Sequence, residues 1–326
     1  MRRVPRKLLR HTSRVVSVGV VFPLLGACGG AAATDPELPF EALPLPLVVA
    51  TGLSTCALKT NGEVDCWGSG FKYPVEVING IPLRFPVPDG PFVQIRGAGG
   101  TCGLKPSLGI HCWGTRTSGS QVVLEGRYID FGVSGAICGV STRGRLNCIP
   151  WSELRLVEAE PFLQAIPDGS DFRRVALGGS HACALRADGS LSCWGKNPWG
   201  GATAPDGSFV DLGVGDGFTC AVRGDGSVAC WGALWDGSPI EAPDLHDAIA
   251  VDAERARACA LRATGEVSCW GTELAWTETE TKPPLAKFRQ LSVGASHACG
   301  VTEDDGIACW GEDNPNQALQ VPEELR

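Results

Sequence analysis

Fifteen cysteines give this 326-residue chain its most reactive side chains, and fourteen of them keep a fixed spacing. Cys56 precedes Cys66, Cys102 precedes Cys112, Cys138 precedes Cys148 and Cys183 precedes Cys193, each by ten residues. The same interval separates Cys220 from Cys230, Cys259 from Cys269 and Cys299 from Cys309. Thiols in that number could ligate a metal, stay free for redox or nucleophilic work, or close disulfides. Zinc asks for close Cys-x2-Cys knuckles with further ligands beside them, and a ten-residue spacing does not supply these. Pairing within each set leaves one cysteine, Cys28, over.

Other chemistry-bearing residues are sparse. Beyond the first 27 residues the histidines are His111, His181, His246 and His297. His181 and His297 each precede a first cysteine by two residues, three units apart. They read as strand-start histidines bonding a backbone carbonyl, rather than as an acid–base or metal pair. Asp304-Asp305 reads as turn sequence, and Glu278 and Glu280 as a solvated loop. There is no Gly-x-Ser-x-Gly, no His-x-x-x-His helix and no phosphate-cradling glycine loop. Nothing assembles a nucleophile, a base and an orienting group, so the chain is expected not to be an enzyme and to take no cofactor or metal.

The N-terminus gives Cys28 a different chemistry. Arg2, Arg3, Arg6, Lys7, Arg10 and Arg14 precede an apolar run from Val15 to Ala27, too brief to span a bilayer as a mature helix. Leu25-Gly26-Ala27-Cys28 resembles the bacterial lipobox, in which small residues let a peptidase approach the bond before the lipid-bearing Cys. The resemblance implies a signal peptide over 1–27 and a lipidated Cys28 opening an Ala/Pro-rich tether over 28–44. Gly29, where that family's retention rule has Asp, implies passage to the outer membrane. Several acyl chains on one cysteine suffice for stable anchoring. Removing the six leader cations leaves 22 Lys and Arg against 36 Asp and Glu, a net charge of −14. Such a surface lacks the basic stripe that nucleic-acid binding requires.

The cysteine spacing also fixes the elements that carry it. The first members recur at intervals of 46, 36, 45, 37, 39 and 40 residues, a period of propeller blades or helical pairs. Within a unit the runs are short and alternating, as in Phe172-Arg173-Arg174-Val175-Ala176-Leu177, which is strand periodicity. Glycine follows the first cysteine by six residues in five units (Gly62, Gly144, Gly189, Gly226, Gly265) and by seven in two (Gly109, Gly306). A glycine there suits the left-handed position of a hairpin loop and sets Cys56 across from Cys66 and Leu58 across from Val64. The cysteines are then cross-strand neighbours within disulfide reach, and each closed loop of about 11 residues stabilises its unit by roughly 2–3 kcal/mol. With a preceding strand and a short fourth strand in the connecting segment, the units predict an all-β fold, a seven-bladed propeller over 45–326. Leu45–Thr51 is expected to lead into unit one and Ala318–Leu325 to return and complete that blade.

These units resemble the repeats of the regulator of chromosome condensation family, and the Cys-before-Trp variant is similar to exported bacterial members. The resemblance rests on His181-Ala182-Cys183-Ala184-Leu185, Asp188-Gly189 and Cys193-Trp194-Gly195-Lys196-Asn197, with Cys-Trp-Gly six times in all. It covers residues 45–326. Unit three departs, reading Cys148-Ile149-Pro150-Trp151, so its last strand is expected to end early. Family activity on a small GTPase and on chromatin does not transfer to an acidic exported chain, and fold alone does not license function.

Aromatic residues mark the candidate site. The six repeated Trp (Trp67, Trp113, Trp194, Trp231, Trp270 and Trp310) are expected to pack between blades. Trp151, Trp199, Trp235 and Trp276 lie past a second cysteine, where family repeats carry polar residues and glycine, and Phe71 and Tyr73 occupy the same segment of unit one. Ring symmetry would place all six on one face, a pattern of interface and carbohydrate anchors. The expectation is a monomeric cell-envelope lipoprotein that binds protein or glycan. An inhibitor that occludes an extracellular enzyme is the second reading. A propeller lyase or glycosidase is the third, and it needs convergent carboxylates or histidines around a central channel.

Overall fold

A computed structural model describes residues 47–50, 54–68, 77–78, 81–82, 87–97, 100–106, 109–114, 122–151, 162–271, 282–311 and 319–326. The chain divides into two units, 1–36 and 37–326, and every described residue lies in the second.

That unit is a seven-bladed β-propeller. Its innermost strands are Leu47–Ala50, Gln94–Gly97, Tyr128–Val133, Phe172–Leu177, Phe209–Val214, Ala248–Glu254 and Phe288–Val293. Each pairs antiparallel with a middle strand carrying the first cysteine, which pairs in turn with a strand carrying the second. Blade four shows the pattern: Phe172–Leu177, His181–Arg186 and Leu191–Gly195, with Cys183 opposite Cys193.

All seven expected cysteine pairs are disulfides, one in each blade. Cys56 is bonded to Cys66, Cys102 to Cys112, Cys138 to Cys148 and Cys183 to Cys193. Cys220 is bonded to Cys230, Cys259 to Cys269 and Cys299 to Cys309. Their Cα separations of 3.9–4.1 Å are shorter than the ~4.5 Å of an ordinary non-hydrogen-bonded cross-strand pair. The first cysteines and Cys112 are fully buried, whereas Cys230, Cys269 and Cys309 are only half-buried, because they sit on outer strands. The hairpin turns follow the expectation in six blades, where the loop glycine has positive φ. In blade seven the left-handed residue is Asp305 at φ 69°, not Gly306. The cross-strand register puts that conformation six residues after Cys299, and Asp tolerates it.

Seven apolar clusters fill the seven seams, one between each pair of neighbouring blades. The repeated Trp belong to them as expected, each packing toward the preceding blade: Trp113 joins blade one, Trp194 blade three and Trp310 blade six. In blades two, five and seven the aromatic residue at or just before the start of the innermost strand packs on the same blade's Trp. Ring centroids lie 5.4 Å apart for Phe92–Trp113 and 5.5 Å for Phe288–Trp310.

Three expectations need correction. Among the described residues six blades have three strands, and only blade two has a fourth, Val122–Leu124. In blade five the connecting segment carries Pro239 and Pro243, which cannot donate to a ladder. It pairs only through the isolated bridges Ala233–Pro239 and Ser227–His246. The last strand of blade three does not end early but runs through Pro150 opposite Ala136, an outer position where proline is tolerated.

Ring closure also differs from the expected returning strand. The C-terminal residues make a 3-10 turn, Glu323–Leu325, after Pro322. Closure comes from side chains: Gln290 Oε1 accepts from Val48 N–H (3.1 Å), Gln290 Nε2 donates to the Val48 carbonyl (3.0 Å), and Ser292 Oγ accepts from Ala50 N–H (3.2 Å). Val321 and Leu325 then cover the seam formed by Val48, Ala50, Trp67 and Val301. Deleting residues 319–326 is expected to cost about 3 kcal/mol from two apolar side chains. The check is a lower denaturant midpoint in the truncated chain.

Candidate functional site

The central channel is the first place to look for chemistry, because carboxylates do converge there. One-residue bulges in blades three to seven offset the start of each innermost strand. Arg96, Arg174, Asp211, Asp252 and Gln290 line a cavity of about 220 Å³. The inner edge of a propeller strand presents unpaired N–H groups that need acceptors. Asp130 Oδ2 accepts from Val175 N–H (2.8 Å), Asp211 Oδ2 from Val251 N–H (2.9 Å) and Asp252 Oδ2 from Val293 N–H (2.8 Å), each reaching the next blade. Asp130 Oδ1 is also held by Arg96 and Gln94, both at 3.0 Å, and Asp211 pairs with Arg174. Burial, with Arg96 nearby, lowers the Arg174 guanidinium to about 10, and burial raises Asp252. These acids brace the seams.

The two equivalent histidines form seam clasps. His181 Nε2 lies 2.8 Å from Thr219 Oγ1 of blade five, and His297 Nε2 lies 2.8 Å from Thr55 Oγ1 of blade one. The expected partner was a backbone carbonyl; the actual one is a hydroxyl on the next blade. Thr219 Oγ1 donates to the Gly201 carbonyl (3.0 Å), so its one proton is committed and His181 must donate from Nε2. Burial lowers both imidazoles to about 4, with Arg257 adding to the effect at His297. His246 is exposed, 3.3 Å from an Asp244 carboxylate oxygen.

The aromatic residues separate into different roles. In a three-stranded antiparallel blade the first and third strands run the same way, so the loops that follow both leave at one end. Trp199 and Trp235 follow third strands and stand exposed at that end, 41% and 64% accessible. Each sits on an ordered turn. Asn197 Oδ1 accepts from Ala202 N–H (2.9 Å) and Asn197 Nδ2 donates to Thr203 Oγ1 (2.8 Å), closing the turn that carries Trp199. The Gly201 carbonyl ties that turn to blade five, accepting from Trp231 Nε1 (2.7 Å) as well as Thr219. Asp236 Oδ1 accepts from Ser238 N–H (2.9 Å), and the Leu234 N–H to Ser238 carbonyl bond (2.9 Å) closes the turn under Trp235, with Leu234 buried as its anchor.

Trp151 does not join them. It is wholly buried at the seam between blades two and three. Gly100 stands two residues before Cys102, the position of His181 and His297 in their blades, and a Cβ there would meet Trp151 Cζ2 at 2.8 Å. Ile149 holds the register place of the repeated Trp, opposite Ile137, and Trp151 packs at this seam against the position that His181 and His297 hold in theirs. Phe71, Tyr73, Trp276 and Cys28 lie outside the described residues.

A signal for the clasps was present in the sequence. Histidine stands two before a first cysteine only in the units whose successor has threonine one before its own, Thr219 after His181 and Thr55 after His297 round the ring.

Residues 172–198 and 288–317, the two units with that histidine, match the Regulator of chromosome condensation (RCC1) repeat. The CRINKLY WD40 ectodomain of the Arabidopsis thaliana receptor kinase ACR4 is similar in structure, with TM-score 0.59 and 19% identity over 82% of this chain and 96% of that one. The ectodomain of the Physcomitrella patens receptor kinase CR4 gives TM-score 0.57 and 20% identity over 83% and 75%. At these identities the likeness is one of fold. No curated protein matches the chain in sequence.

Proposed function

We propose that this chain, which carries repeats of the regulator of chromosome condensation type, is a non-enzymatic binding module of the cell envelope. Its binding surface is the loop face that carries Trp199 and Trp235. One observation carries the reading: two large indoles stay exposed on turns that are fully braced by hydrogen bonds. Exposed aromatics held rigid before binding lose little freedom on contact, which is the property of an interface anchor. The partner is a protein or a glycan. Phe71, Tyr73 and Trp276 lie outside the described residues and carry none of this reading.

Seven disulfides suit an oxidising compartment. With the basic leader and Leu25-Gly26-Ala27-Cys28 they support export, removal of residues 1–27 and a lipid on Cys28. Residues 28–44 then tether the propeller, a monomer on this reading, to the outer membrane. Immobilised full-length chain should capture a partner from envelope extract. The Trp199→Ala/Trp235→Ala double variant should lose that capture with an unchanged circular dichroism spectrum. Retained capture by a folded double variant rejects the face, and a Cys28→Ser chain still found in the membrane fraction rejects the anchor.

A further inference from the structure

The seam between blades four and five carries enough detail to name a ligand class. Trp199 lays the pyrrole edge of its indole over backbone: a Cβ on Gly217 would meet Trp199 Cδ1 at 2.7 Å. The next residue back, Asp216, lies over Gly179, where a Cβ would meet its Oδ1 at 2.4 Å. Ser180 Oγ donates to the Asp216 carbonyl (2.8 Å), so this hydroxyl sits in the same seam. Asp216 is exposed as a residue, and among the described residues its carboxylate has no hydrogen-bond partner; partial burial of that carboxylate raises its pKa, and the Arg255 charge lowers it. One flat apolar plane, one open carboxylate and one hydroxyl thus stand together on bare glycine backbone.

That combination suits a pyranose ring. The C–H face of a sugar packs on an indole, and a carboxylate accepts from its hydroxyls with charge-assisted strength. Other ligand classes fit less well. Acidic glycans and nucleic acids meet a chain of net charge −8. A protein interface of ordinary size has a contiguous apolar centre. Among the described residues this end exposes only Trp199 and Trp235 as large hydrophobics, since Ile129, Val210, Ile249 and Leu285 stand at or before the starts of innermost strands, at the other end.

We propose that the seam binds a neutral oligosaccharide, with Trp199 as the stacking platform, Asp216 and Ser180 as hydroxyl partners, and Trp235 on the next blade as a second platform. The proposal rests on the binding-face reading above. The test titrates the full-length chain in detergent with cellotetraose, maltotetraose and chitotetraose, followed by tryptophan fluorescence and calorimetry. At least one should bind. Trp199→Ala and Asp216→Asn should each weaken it about tenfold or more, a loss near 1.4 kcal/mol, while Asp188→Asn at the opposite end leaves it unchanged. Binding that ignores both seam variants overturns the site. If no tetrasaccharide binds but Trp199→Ala/Trp235→Ala still abolishes partner capture, the glycan assignment falls and the face stands. If neither responds, both fall.

Discussion

Acidification from pH 7 to pH 4 is expected to remove roughly 6 kcal/mol of folding stability through two side chains, His181 and His297. Each imidazole is buried, at 1% and 0% exposure, and each has a folded pKa of about 4 against an ordinary value of 6.5. A depressed histidine pKa means that the unfolded chain takes up a proton first. Stability is therefore fully present above pH 6.5 and declines through the window from 6.5 to 4. Below 4 both states are protonated and the loss levels off. A shift of this size corresponds to about 3 kcal/mol for each histidine. The turn carboxylates Asp188, Asp225, Asp236 and Asp304 are held below the usual carboxylate range by Ser190, Ser227, Ser238 and Thr302 respectively, so their contribution is lost at lower pH. The measurement is a set of urea titrations at half-unit steps from about pH 7 to 4 with the disulfides intact. His181→Asn/His297→Asn should start from a lower midpoint at neutral pH and flatten the slope in that window. An unchanged slope in the double variant would contradict the assignment.

The clasps also show which parts of this fold the sequence made legible. Contacts inside a unit were readable because they are local. A ten-residue cysteine spacing and a turn glycine fix a hairpin register, and seven hairpins at a period near 40 fix blade number. Contacts between units join residues about 40 positions apart, and their content lies in departures from the repeat. Asp130, Arg174, Asp211 and Gln290 stand near the start of their strands as unlike residues; that Asp130, Asp211 and Gln290 cap the next blade's N–H groups, and that Arg174 pairs with one of these caps, appears only once the inner edges are side by side. Symmetry predicts a strand at the C-terminus, yet Pro322 and the side chains of blade seven close the ring without one. Trp199 and Trp235 are legible as departures from the repeat, but their exposure, 41% and 64%, appears only in the fold, because it depends on what the neighbouring blade offers each indole. Trp151 departs from the repeat too, yet symmetry counts positions and cannot see that Gly100 has left a space.

That space sets a second expectation, in which the sign of one substitution depends on another. Trp151→Ala removes a wholly buried indole and should cost about 3–5 kcal/mol, the range for truncating a large aromatic in a core. Gly100→Ala in the parent chain drives a methyl against Trp151 Cζ2 at 2.8 Å and the Trp113 carbonyl at 3.2 Å. Overpacking of this kind costs roughly 1–3 kcal/mol. With Trp151 already reduced to alanine the first of those contacts is gone, and the new methyl fills part of the cavity beside a backbone oxygen that need move only slightly. Gly100→Ala should then be neutral or stabilising, and the two changes together should cost less than their sum. A double-mutant cycle in urea measures this coupling directly. Strict additivity would show that Trp151 does not occupy the Gly100 space. If instead the coupling holds, Trp151 fills the space left by Gly100 at the seam between blades two and three, and the candidate face loses one of its six aromatics to the core.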